Sequence, residues 1–255
     1  MTALFRLDER DGYTILWNTN SVRRNALSED YYQGVLSGLA QADKKETAAF
    51  ILASEGNYFC SGGDLNRLKE RRDLPIEKRR QKINRLHDVI KAIRHCPKPV
   101  IAAVEGGAAG AGFSLVLACD LLVAAHDAKF LLSHVRAGLI PDGGATHMLG
   151  NSLPRATASQ IALLGRPIGA KKIYDFGLLS ELTEAGDALG TAENLAREFV
   201  TGPQHAITTI KSLLNSARST PFDVQLDQEC HAMADALGSE DARQRIDAFL
   251  LKGRK

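Results

Sequence analysis

A chain of 255 residues is long enough to bury a full core, as one large domain or as a domain with an appendage. Its 32 Lys and Arg against 30 Asp and Glu leave a net charge of +2, so composition offers no basic surface for nucleic acid or an anionic membrane. Cys60, Cys96, Cys119 and Cys230 form no CxxC pair and read as reduced thiols, not as a disulfide frame or a metal site. No apolar run reaches the length of a membrane span, and the residues from Met1 to Arg6 lack a signal-peptide pattern. The expectation is a soluble cytoplasmic protein.

Leu4 to Asp8 and Tyr13 to Trp17 read as strands joined at Asp11-Gly12, a hairpin signal. Ser28, followed by Glu29 and Asp30, starts a helix that Val35, Leu36 and Leu39 carry on. Ala48 to Ala53 is an apolar strand. A loop rich in small residues follows and ends at Gly62-Gly63-Asp64. The stretch from Asp64 to Arg94 is helical in pattern but interrupted by Pro75, and its charges from Lys69 to Lys82 suit a solvated face.

Val100 to Val104 is a buried-strand run, and only glycine and alanine occupy positions 106 to 112. No side chain there can do chemistry. A helix starting near Ala111 or Gly112 instead offers unpaired N–H groups and a positive dipole end, which suit a phosphate or a developing oxyanion. Small-residue packing accounts for the same run equally well. Strands at Leu121 to Ala125 and Lys129 to Ser133 complete an alternating α/β pattern. Beyond Thr146 the chain is almost wholly helical, with a short strand at Leu178 to Leu182. The division expected is a core over 1–186 and a helical region over 187–255.

The dinucleotide fingerprint, the nucleotide phosphate loop and the nucleophile elbow are all absent. Two loops of small residues nevertheless each follow a buried strand and lead into a helix. Such an arrangement brings two backbone N–H donors together, as a thioester carbonyl turning into an enolate requires.

The run Arg24-Asn25-Ala26-Leu27, the loop from Phe59 to Leu65, Pro97 to Gly106, Ala109 to Gly112, Ala118 to Asp120 and Gly138 to Gly144 together resemble the crotonase (enoyl-CoA hydratase/isomerase) superfamily over nearly the whole chain. The resemblance implies an α/β spiral of β-β-α turns with an all-helical C-terminal trimerisation region. It further implies trimers or hexamers and an acyl-CoA substrate, with coenzyme A as part of the substrate and no separate cofactor or metal. Carried over by position, the oxyanion donors are the N–H groups of Ser61 and Ala111. The coenzyme A nucleotide is expected near Arg23, Asn25, Ala26, Gly63, Asp64 and Leu65, covered by Phe249 and Lys252 of a neighbouring subunit.

The catalytic side chains depart from the hydratase pattern. Where hydratases of the family carry two glutamates, this chain has Ser114 and His134. The acid that remains is Asp142, placed as in isomerase-type members, and one base suffices to move a proton within a substrate. The residues also allow plainer roles: Asp142 as a turn residue, His134 as a packing histidine, Ser114 as a small helix residue. The expectation is an isomerase working through Asp142. Hydration, with His134 or a water held by Asp142 and Ser114 replacing the glutamates, and acyl-CoA binding without turnover, are the alternatives.

Overall fold

The computed structural model describes residues 4–42 and 47–252. β1 (Phe5–Arg10) and β2 (Tyr13–Asn18) form the expected antiparallel hairpin, turned at Gly12 with its positive φ of 83°. A short 3-10 turn, Ser21–Arg23, leads into α1 (Glu29–Leu39), whose first turn is capped by Ser28 Oγ accepting the Tyr31 N–H. There follow β3 (Ala49–Ser54), α2 (Leu65–Arg71), α3 (Ile76–His95), β4 (Val100–Val104), β5 (Gly107–Ala109) and α4 (Ala111–Ala118). Pro75 separates α2 from α3, where it occupies the cap position. β6 (Leu121–Ala125), β7 (Lys129–Leu131) and a 3-10 turn at Ser133–Ala137 come next. They are followed by α5 (Ala145–Ser152), α6 (Arg155–Leu164), β8 (Ile168–Gly169), α7 (Ala170–Asp175) and β9 (Glu181–Thr183). The last helices are α8 (Ala188–Thr201), α9 (Gln204–Ser216), α10 (Phe222–Leu237) and α11 (Glu240–Lys252).

One sheet runs β1-β2-β3-β4-β6-β9, parallel from β2 onward; a smaller one runs β5-β7-β8. The chain climbs as a spiral, each turn placing a strand in the large sheet, then an extended stretch in the small one, then a helix. β4, β5 and α4 make one such turn. β3, the bridge residue Cys60 and α2 make the turn below it, and β6, β7 and the 3-10 turn the one above. Cys60, Ala108 and Phe130 therefore lie side by side across successive turns. β5 is not expected from its Gly-Ala-Ala sequence, which has poor strand propensity; pairing with Cys60 on one side and β7 on the other makes it a strand.

α8 alters the expected layout. Its Ala188, Ala192 and Ala196 are fully buried against Tyr13, Ile15, Ile51, Ile101 and Val123, so it roofs the outer face of the large sheet. The core thus continues past position 187. Two carboxylate oxygens of Glu105 accept the Gly186 and Ala188 N–H groups and fasten the start of this helix.

α9 is latched to the same core by one buried ion pair. Lys211 Nζ donates to Asp120 Oδ2 at 2.5 Å, to the Lys98 carbonyl at 2.9 Å and to the Ile93 carbonyl at 3.3 Å. Asp120 also accepts the Val100 N–H at 2.8 Å. Burial pushes the Asp120 carboxyl above its ordinary pKa, and Lys211 pulls it back. Lys211→Met leaves that carboxylate buried and unpaired, and is expected to cost about 3 kcal/mol in a denaturant melt. No helix among the described residues is long and apolar enough to cross a membrane.

Candidate active site

The spiral register fixes which backbone donors meet. Counting three residues on from the aligned Cys60 and Ala108 gives Gly63 and Ala111 in neighbouring turns. Ala111 opens α4, and its N–H has no acceptor among the described residues, as expected at a helix start. Gly110, with φ 53° and ψ −128°, makes the sharp entry that only glycine adopts without strain, while its own N–H goes to the Leu131 carbonyl.

On the facing loop, Ser61 is not the free donor. Its N–H is given to the Arg24 carbonyl at 3.0 Å, and its Oγ to the Arg23 carbonyl at 3.3 Å. The reason lies in the alternation of extended backbone. Cys60 directs its N–H and carbonyl at Gly107 and Ala109, so the next N–H points the opposite way, towards Arg24. Gly62, at φ 89°, then redirects the chain; its carbonyl accepts the Leu27 N–H at 2.9 Å and its N–H faces Cys60 Sγ. In the Leu27–Gly63 bridge this leaves the Gly63 N–H turned away from Leu27 and without an acceptor among the described residues. Gly63 and Ala111 are therefore the available pair.

Their closeness depends on two glycines. A Cβ on Gly62 would sit 2.6 Å from the Ala109 carbonyl oxygen and 3.3 Å from the Ala111 nitrogen. One on Gly112 would sit 2.7 Å from the carbonyl oxygen, Cβ and Sγ of Cys60. Cys60 fills the space beneath, its thiol pushed up to about 12 by burial, and so stays an un-ionised packing group.

The side chains assemble around this pair. His134, in the 3-10 turn after β7, places its ring edge where a Cβ on Gly110 would lie 3.6 Å away, against the start of α4. Its Nε2 is 3.5 Å from Asp142 Oδ1, too long for a hydrogen bond. His134 Nδ1 and Asp142 Oδ1 are both buried and lack a hydrogen-bond partner among the described residues. Two orphaned polar atoms at one spot are rare in a mere packing arrangement. Ser114 is different. It is completely buried and donates its Oγ–H to the Asp142 main-chain carbonyl at 2.8 Å, so its hydroxyl proton is committed. That hydrogen bond makes Ser114 a strut under the Asp142 loop, assisted by the close fit of Gly143 over Ser114 and Leu86.

Of the residues expected at the nucleotide end, Arg23 and Asp64 meet. Arg23 Nη1 lies 2.6 Å from Asp64 Oδ2, and Asp64 Oδ1 caps α2 by accepting the Asn66 N–H at 2.9 Å. Although burial acts the other way, the Asn66 N–H and Arg23 hold the Asp64 carboxyl below its usual pKa. Asn25 and Ala26 are buried and do not face outward. Asn25, in the left-handed region at φ 54°, donates Nδ2 to the Glu55 and Tyr58 carbonyls and shapes the loop. Arg24 stacks on Tyr58 at 4.2 Å. Leu65 stands exposed beside Asp64. Phe249 is exposed on α11, remote in sequence from this loop, and the side chain of Lys252 lies outside the described residues.

Comparison with known proteins settles the family. The model of the enoyl-CoA hydratase/isomerase family matches residues 19–255. The chain belongs to that family, the crotonase enzymes. It is 34% identical to the 1,2-epoxyphenylacetyl-CoA isomerase of Escherichia coli K12, over 90% of this chain and 88% of that one. It is 30% identical to the peroxisomal Delta(3,5)-Delta(2,4)-dienoyl-CoA isomerase of Arabidopsis thaliana, over 89% and 86%. Among solved structures, an enoyl-CoA hydratase from Polaromonas sp. JS666 superposes with a TM-score of 0.95 at 40% identity, covering 97% of each chain. The crotonase fold is thus shown, with relatives named for both activities.

Proposed function

We propose that this enzyme moves protons on an acyl-CoA thioester, shifting a double bond or opening a strained ring. The thioester oxygen accepts the Gly63 and Ala111 N–H groups and takes up charge as an enolate, and Asp142 removes and returns the proton. The observation that carries this reading is the Asp142 carboxylate, with Oδ1 buried and without a hydrogen-bond partner among the described residues, next to two positions occupied by Ser114 and His134. Hydration needs, besides proton delivery to C2, groups that hold a water molecule against C3 and deprotonate it. Isomerisation needs only a single base that reaches two carbons.

Hydration of a 2-enoyl-CoA is the second reading, favoured by the unpaired Nδ1 of His134 and its approach to Asp142. Incubation of the pure enzyme with 2-enoyl-CoA, followed by mass spectrometry, separates the two. The proposal expects no stable water adduct; accumulation of a 3-hydroxyacyl-CoA overturns it.

The coenzyme A portion is assigned to the outer side of the Arg23–Asp64 pair and Leu65, where the exposed groups of that loop lie. A homotrimer or hexamer is part of the same proposal. It is supported by the exposed apolar side chains of Phe222, Met233 and Phe249 along α10 and α11, which a single chain leaves uncovered. In such an assembly Phe249 and Lys252 of one copy cover the nucleotide of the next.

A further inference from the structure

Tyr32 was not singled out by any motif, yet its position in the fold sets it apart. It lies in the second turn of α1, and the start of that helix is pinned to the oxyanion loop where Leu27 donates to the Gly62 carbonyl. The same helix is tied to α3 by Arg85, which donates to Glu29 at 2.7 Å. One residue on, Leu86 is fully packed and approaches Gly143, the neighbour of Asp142; a Cβ on Gly143 would lie 3.2 Å from Leu86 Cδ2. Tyr32 thus sits in the wall between the loop that holds the thioester oxygen and the loop that carries the base.

Its ring belongs to the main apolar core with Leu27, Phe59, Cys60 and Leu86, and the residue is only 9% exposed. Its hydroxyl has no hydrogen-bond partner among the described residues, although it is not among the polar atoms sealed from solvent. The hydroxyl thus opens from an otherwise apolar wall as a donor that no protein group among the described residues occupies, free for a molecule that enters there. Burial raises its pKa well above the ordinary tyrosine value, and the negative charge of Asp142 pushes it the same way against Arg71, so the phenol keeps its proton.

We infer that Tyr32 is a specificity-determining residue whose hydroxyl donates a hydrogen bond to an oxygen borne by the acyl group, near the carbon that Asp142 serves. The substrate class is then an oxygenated acyl-CoA, carrying a hydroxyl, keto or epoxide oxygen in addition to the thioester carbonyl. This rests on the thioester reading above and narrows it. A site that presents a buried donor discriminates strongly against analogues lacking the acceptor, whereas an apolar wall discriminates weakly.

The test compares wild type with Tyr32→Phe, which keeps the ring and removes only the hydroxyl. Dissociation constants are measured for butyryl-CoA and phenylacetyl-CoA, and for 4-hydroxybutyryl-CoA and the three ring-hydroxylated phenylacetyl-CoA isomers. Wild type is expected to prefer at least one oxygenated ligand over its parent by about tenfold or more. Tyr32→Phe is expected to lose that preference while binding the parents as before, with unchanged or higher thermal stability. Equal binding of oxygenated and parent ligands by wild type, or an undiminished preference in the variant, overturns the role of Tyr32 and leaves the thioester reading intact. Failure of wild type to bind any of these thioesters overturns both.

Discussion

Asp142→Asn is expected to lower kcat by about a thousandfold while leaving the fold and acyl-CoA affinity nearly unchanged, as loss of a general acid/base does. The asparagine is the same size, and the main-chain carbonyl that Ser114 holds at 2.8 Å is retained. Asp142 Oδ1 has no hydrogen-bond partner among the described residues whose loss would unsettle the structure. The side chain therefore has little structural work to lose. A steady-state comparison on 3-enoyl-CoA, with a thermal melt and a binding isotherm of the same preparations, checks this. A variant with wild-type turnover removes Asp142 from the mechanism. If instead His134→Ala abolishes turnover while Asp142→Asn does not, the base has been assigned to the wrong member of the pair.

The second large effect concerns the backbone donors. Gly112→Ala places a methyl 2.7 Å from the Cys60 carbonyl oxygen, Cβ and Sγ, and neither a strand-paired backbone nor a fully buried side chain can yield cheaply. The start of α4 must withdraw from the Cys60–Gly63 loop, taking the Ala111 N–H with it. Loss of one oxyanion donor costs about a hundredfold or more in kcat, and overpacking costs about 1 to 3 kcal/mol in stability. Gly138→Ala is a useful contrast, because open space surrounds its Cβ; its positive φ of 67° strains the turn alone. Both variants are to be measured for turnover and by denaturant melt. An active, stable Gly112→Ala enzyme shows that the close approach of α4 to Cys60 is not what sets the donor geometry.

The apolar runs of β3, β4 and β6 announce themselves in the sequence because buried parallel strands need continuous apolar residues. The Ser28 cap and the Pro75 break were equally readable, since each acts through its own local chemistry. β5 was not, because three residues of glycine and alanine become a strand only when Cys60 and Phe130 flank them. The site shows the same division. Its two loops and its single acid were recognisable, but the choice of Gly63 over Ser61 turns on the φ of Gly62, which no residue pattern reveals. Ser114 occupies a glutamate's place and so reads as a candidate reacting side chain, whereas its hydroxyl donates to the Asp142 carbonyl. Tyr32 carries no motif and looks like any apolar helix residue until the loops on either side of it are known.

The most direct test of an enolate held by Gly63 and Ala111 and served by Asp142 is the fate of 3-enoyl-CoA in heavy water. This mechanism predicts conversion to 2-enoyl-CoA, deuterium accumulating at C2 and C4 by mass spectrometry and NMR, and no mass gain from added D2O. Conversion to a deuterated 3-hydroxyacyl-CoA, or tight binding with neither isomerisation nor exchange, contradicts it.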